Sequence, residues 1–293
     1  MKKQLSYSLR LLLLSGVAVI MSTSCIFMPP KEEKEVIKTE VETTEDGETI
    51  YKKDGLTCVW HDEFNDYEGV PDTTKWKYQT GNHGWGNQEL QNYIDNTTEA
   101  NTAVVEDGVL KIKAKYEDGE WKSARLNSKE SWKYGFIEAR LKITDRKGAW
   151  PAFWMMPQNS VYGEWPASGE IDIMENAPSI NEQCNHRVFS SLHASGHYDA
   201  NPKSIGAKTF DTSLSSEWHT FGIKWTEQEI ICYYDDVAVG GYENNGTVKD
   251  WPYDQNFYII LNLAIGGKLG GTSDTPSLGG KAEFLIDYVR VYQ

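Results

Sequence analysis

GEIDIMENAP, residues 169–178, sets three carboxylates, Glu170, Asp172 and Glu175, among the apolar residues of one short segment. A β-strand sends alternate side chains to opposite faces, so Glu170 and Asp172 share one face and Ile171 and Ile173 the other. Continued alternation would turn Glu175 toward the apolar face, where an ionised, unpaired carboxylate is costly. One extra residue, a β-bulge at Met174, leaves Met174 unpaired and returns Glu175 to the acidic side. Three carboxylates then project onto one surface, where mutual repulsion makes one of them hold its proton at neutral pH. Such a set contains both an acid and a base, the pair that glycoside hydrolysis needs. A solvated strand edge or a calcium-binding cluster would use the same residue types, and E-x-D-x-x-E alone is short enough to recur by accident. Its surroundings decide.

Around it, period-two alternation recurs at short spacing in VLKIKAKY (109–116), YGFIEARLKI (134–143), HTFGIKWT (219–226), EIICYYDD (229–236), NFYIILNLAI (256–265) and AEFLIDYVRVY (282–292). No long segment has helical period, so the chain reads as all-β, two packed antiparallel sheets, with the near-continuous FYIILNLAI inside one of them. Trp85 stands apart from this pattern, between glycines in GNHGWGNQELQNY (81–93). An indole on a loop suits the C–H face of a sugar ring, and the amides of Asn82, Asn87 and Gln88 suit its hydroxyls.

At the N-terminus Lys2, Lys3 and Arg10 precede an apolar run, and small residues lead to Cys25. Residues 1–24 read as an export signal resembling that of a bacterial lipoprotein, with Cys25 the lipidated first residue of the mature chain. The expected location is the outer membrane, at the cell surface, with the lipid as the only membrane contact. Residues 25–53, rich in charge and without sustained apolar period, are expected to be a flexible tether, and 54–293 one folded domain, a monomer. Loss of Lys2, Lys3 and Arg10 with no acidic residue takes the formal charge from −14 to −17, which excludes nucleic acid as a partner and suits a neutral polysaccharide. Cys58, Cys184 and Cys232 cannot all pair and show no zinc spacing, so buried free thiols are expected.

Taken together, GAWPAFWMMP (148–157), WPASGEIDIME (165–175), GWGNQELQ (84–91) and IDYVRVY (286–292) resemble glycoside hydrolase family 16, in its bacterial laminarinase branch. The resemblance implies a β-jelly-roll sandwich with a concave substrate cleft, and retaining hydrolysis of β-1,3-glucan or mixed-linkage β-1,3/1,4-glucan without a catalytic cofactor. It makes Glu170 the nucleophile, Glu175 the acid/base and Asp172 the residue between them, the two glutamate carboxyl groups about 5 to 5.5 Å apart. Trp150, Trp154 and Trp165 match aromatic cleft positions, Arg140 an arginine near the nucleophile, His193 a histidine facing the acid/base, and Asn262 a polar cleft position. It further implies a structural calcium held by the Asp287 carboxylate with main-chain oxygens of Glu63 and Gly108. Two other readings remain on the same sandwich: a non-catalytic surface glycan-binding protein, and another specificity such as agarase. The intact carboxylates oppose the first, since a binding module has no need to hold them together. Linkage preference is expected to reside in loops such as 181–184 and 197–207.

Overall fold

The computed structural model describes residues 35–95, 101–144, 146–176, 186–271 and 279–293. The signal segment, Cys25, residues 26–34, Cys184 and the 181–184 loop lie outside them. The strands are β1 (Thr39–Thr43), β2 (Thr49–Lys53), β3 (Leu56–Asp62), β4 (Trp76–Tyr78), β5 (Gln91–Tyr93), β6 (Ala103–Glu106) and β7 (Val109–Glu117). Next come β8 (Glu120–Ser123), β9 (Arg125–Ser128), β10 (Gly135–Lys142), β11 (Ala149–Pro157), β12 (Glu170–Glu175) and β13 (Arg187–His193). The last are β14 (Lys203–Thr209), β15 (His219–Trp225), β16 (Glu229–Tyr234), β17 (Val237–Glu243), β18 (Phe257–Ile265) and β19 (Lys281–Tyr292), with one helical turn, α1 (Gly267–Gly270), after β18.

They form two sheets. The inner sheet runs β14-β13-β12-β11-β18-β9-β4; the outer runs β1-β2-β3-β19-β10-β15-β16-β17, with β7 also on β19 and carrying β6 and β8. Among the described residues, all strand pairs are antiparallel except β5 with β8. This is the expected jelly-roll sandwich. Alternation explains the core: on β10, Ile137, Ala139 and Leu141 are fully buried against the inner sheet's Phe153, Ile171 and Leu261. β18 lies between β11 and β9 and is buried on both faces, as its unbroken hydrophobicity requires.

At one edge the sheets come closer than side chains allow. A Cβ at Gly206 of β14 would stand 3.0 Å from Val239 Cγ2 and 3.3 Å from Cys232 Cβ, and one at Gly240 of β17 would collide with the Ile205 carbonyl oxygen. Only glycine permits this backbone approach.

The expectation of a tether through residue 53 needs correction. β1 and β2 pair as a hairpin, and β2 continues onto β3 at the edge of the outer sheet. The segment covers the outer face of β10, the one opposite the core. Ile37 packs there with Phe136, Tyr233 and Tyr292, and Lys53, its side chain fully buried, bonds Glu138 and, at 2.7 Å, Asp236. Thr and Glu, with Val41, carry the exposed positions of β1, so its pairing leaves no apolar alternation for a hydrophobicity reading to find. Cys58 is half-buried and Cys232 buried, both as free thiols.

Candidate active site

β12 carries the predicted carboxylates, and it is bulged. Glu175 pairs with Ala152 and Met174 with Phe153 on β11, yet Asp172 pairs with Trp154, so the extra residue against β11 is Ile173. Against β13, where Asp172 pairs with Ser191 and Glu175 with Phe189, Ile173 and Met174 stand together opposite Ser190, so the expected bulge at Met174 is an Ile173–Met174 bulge. Both Ile173 and Met174 are fully buried in the core. Two successive side chains turned inward let Glu170, Asp172 and Glu175 all line a cavity of about 720 Å³ on the inner sheet.

Each glutamate receives an indole N–H: Trp165 Nε1 donates to Glu170 Oε2 at 2.6 Å, and Trp150 Nε1 to Glu175 Oε1 at 2.9 Å. His193 Nε2 lies 3.1 Å from Asp172 Oδ2, close in distance but without hydrogen-bond alignment. The Asp199 N–H donates to His193 Nδ1 at 3.2 Å, which assigns the imidazole proton to Nε2, facing the carboxylate. Burial, then the charge of Asp172, pushes Glu170 up to about 8. Burial pushes Asp172 up to about 7, opposed by its hydrogen bond with Glu170. Glu175 is raised well above the carboxylate range, by burial first and then by Asp172. The rise at Glu175 favours the acid form there, and the closeness of the three carboxyl groups ties their protons to one another.

On the other side of β12 the wall is aromatic. Trp154 on β11 donates to Asn262 Oδ1 at 2.6 Å, and Asn262 Nδ2 donates to Tyr93 at 2.9 Å, which fixes the indole. The Arg125 guanidinium stacks on Trp154 at 4.6 Å and on Trp85 at 4.8 Å. Arg125 is 9 % exposed, and its Nε has no acceptor among the described residues. Trp85 reaches the cavity from a Gly84–Gly86 turn in which it takes a left-handed φ of 50°, its Nε1 donating to the Gly81 carbonyl at 3.1 Å. Glu89, held by Gln91 Nε2 at 2.6 Å, completes this end.

The cavity thus gathers Glu170, Asp172, Glu175, Trp85, Trp150, Trp154, Trp165, His193 and Asn262. Two expected residues are elsewhere. Arg140 shares the outer face of β10 with Phe136 and Glu138 and bonds Asp287 at 2.7 Å, so a whole sandwich separates it from the cleft. Asn82 is exposed and absent from the cavity wall; the backbone pairing of Gly81 with Tyr93 roots the loop and leaves Asn82 in solvent, whereas Asn87 does line the cavity. Arg125, which sequence reasoning missed, had a signal: a charged residue between Ala124 and Leu126 in a strand, the same anomaly that marked β12.

The expected calcium ligands fall on the outer side. Val289 pairs with Asp62 and Ile286 with Leu110, and a Cβ at Gly108 would lie 3.8 Å from Asn65 Cβ. The segments of Glu63, Gly108 and Asp287 therefore converge, and their oxygens suit a hard cation. The Glu63 carboxylate is taken by Arg290, at 2.8 and 2.7 Å, so Glu63 could offer only its main chain, and Arg140 takes Asp287 Oδ2 at 2.7 Å, which leaves Oδ1 for a cation.

Comparison with known proteins agrees with this geometry. The model of the family described as glycosyl hydrolases family 16 matches residues 90–290. A beta-glucanase of Rhodothermus marinus is 39 % identical over 248 residues, covering 80 % of this chain and 84 % of the relative. A glucan endo-1,3-beta-glucosidase of Cryptopygus antarcticus is 38 % identical over 255 residues, covering 79 % and 90 %. The crystal structure of a laminarinase from Rhodothermus marinus superposes with a TM-score of 0.73 at 37 % identity, covering 80 % of this chain and 96 % of that one. Since the matched span holds the bulged strand, its indole donors, His193 and Asn262, the chain belongs to glycosyl hydrolase family 16.

Proposed function

We propose that the protein is an endo-acting, retaining β-glucanase that cleaves β-1,3-glucan and mixed-linkage β-1,3/1,4-glucan by double displacement. The bulged β12 carries this reading, because it presents a protonated Glu175 and the Glu170–Asp172 pair to one cavity. Glu170 attacks the anomeric carbon in the microstate where the shared proton lies on Asp172. Glu175 protonates the departing oxygen, then takes a proton from the water that releases the glycosyl-enzyme. His193 stands beside Asp172, its Nε2 3.1 Å from that carboxyl. The Trp85–Arg125–Trp154 stack holds both indoles in the cavity wall on the side away from His193, where they suit pyranose rings. The names of the relatives support glucan as the substrate.

The test is reducing-end release from laminarin and from mixed-linkage β-glucan by the full chain, beside Glu170→Gln. Release by the wild type alone is expected, and the ratio of its two rates sets the linkage preference. No release from either glucan would refute the reading.

For the outer side we propose a calcium ion held by the Asp287 carboxylate and the main-chain oxygens of Glu63 and Gly108, joining the ends of three segments. Its contribution is to stability. Chelation is expected to lower the melting temperature while leaving turnover of the folded enzyme nearly unchanged, and a large loss of turnover in folded, chelated protein would count against it.

A further inference from the structure

The two walls of the cleft are joined across its mouth. β13 ends at His193, level with Glu170. β18 ends at Ile265, level with Ala149 on β11, beyond the Ala152 that pairs with Glu175. Residues 194–202, which follow β13, and α1, which follows β18, therefore leave the sheet at opposite ends of the catalytic strands, and β12 and β11 lie between them. Lys268 Nζ on α1 nevertheless lies 2.7 Å from Asp199 Oδ1, and both residues line the cavity. The sandwich core fills the other side of the sheet, so this ion pair crosses the face that bears the carboxylates.

Each end is anchored in its own wall. The Asp199 N–H is bonded to His193 Nδ1, Asp199 takes a left-handed φ of 52°, and the neighbouring Tyr198 ring packs edge-on against Trp165 at 5.7 Å. The Lys268 N–H donates to the Asn87 carbonyl at 2.9 Å, in the turn that presents Trp85. We propose that Asp199 and Lys268 form a bridge over the reacting bond that selects for unbranched glucan. The proposal rests on the β-glucanase reading. An internal stretch of glucan enters while the bridge is open; a bare backbone lets the bridge close again over it, whereas a glucosyl branch at the reacting or adjoining unit keeps it from closing.

The side chains of Lys268 and Asp199 are 46 % and 49 % exposed, so the pair is weak and responsive to salt. Asp199→Asn keeps a side chain that tolerates a left-handed φ while removing the charge. The full-length wild type, Asp199→Asn, Lys268→Met and the double variant are compared on a linear β-1,3-glucan and on a β-1,3-glucan bearing single glucosyl branches, at about 0.05 and about 0.5 M NaCl. The branched-to-linear ratio of kcat/KM is expected to rise about two- to fivefold in each single variant. The double variant should rise no further, because one interaction is lost in all three. High salt should raise the wild-type ratio and leave the variants unmoved. Cleavage with an equal ratio in all four proteins, or a wild-type ratio indifferent to salt, would overturn the bridge alone. Absence of cleavage by the wild type would overturn the glucanase reading and the bridge with it.

Discussion

Replacing Glu170 by alanine is expected to lower turnover by roughly three or more orders of magnitude, and added azide to restore part of it as a glycosyl azide of inverted configuration. The alanine leaves a space on the face of the sugar from which Glu170 would attack. A small anion fits that space, while Glu175 still protonates the departing oxygen and Trp150 still holds Glu175. Because azide enters where the carboxylate would, it makes one displacement and stops, which sets the configuration. The product is read by NMR on a soluble laminari-oligosaccharide. An azide of retained configuration would exchange the roles of Glu170 and Glu175, and undiminished turnover would remove Glu170 from the chemistry.

Lys53→Met is expected to lower stability by about 3 to 5 kcal/mol, which in a domain of this size corresponds to a fall in melting temperature of roughly 6 to 20 °C. Lys53 lies at the end of the hairpin, its Nζ over the Phe136 ring at 4.8 Å. Glu138 is 2 % exposed, and besides Lys53 it is bonded by the Tyr288 hydroxyl at 3.0 Å. Burial raises the Glu138 carboxyl, and the lysine, more than the Tyr288 hydroxyl, opposes that rise. Without the lysine a buried carboxylate is left uncompensated. The double variant Lys53→Met/Glu138→Gln should recover most of the loss, because removing both charges removes the desolvation they share. A single variant melting within a degree or two of the wild type would show that the hairpin contributes little. A protein starting at residue 54 should lose at least as much as the single variant, since it lacks the rest of the segment as well.

Much of the molecule could be read from local pattern. Period-two alternation locates β7, β10, β15, β16, β18 and β19 within a residue or two, and the breach of alternation at Glu175 by itself implies a bulge. What was misread shares a cause. The tripeptide Ala-Arg-Leu occurs twice, at 124–126 and 139–141, and each arginine sits in a strand among apolar neighbours. Which one enters the cleft depends on which sheet each strand joins: Arg125 is on the inner sheet and lines the cavity, Arg140 on the outer. The hairpin of β1 and β2 was missed because it buries little, and its main anchor is a lysine, which hydropathy counts as solvent-seeking. The Asp199–Lys268 pair joins residues 69 apart in the chain, across two intervening strands, and no local window contains it.

The glycine contact between β14 and β17 bears on how a bridge over the cleft could work mechanically. Gly206 and Gly240 lock the edge strand of the inner sheet, next to β13, onto the outer sheet backbone against backbone. With that edge clamped, the strands that root residues 194–202 cannot swing, and the sandwich cannot hinge apart to admit a chain. Motion is left to the nine residues between β13 and β14 and to one lysine side chain. A segment that short rearranges in about nanoseconds to microseconds. The stiffness of the fold and the looseness of its gate are then set by different parts of the chain, and either can change without the other.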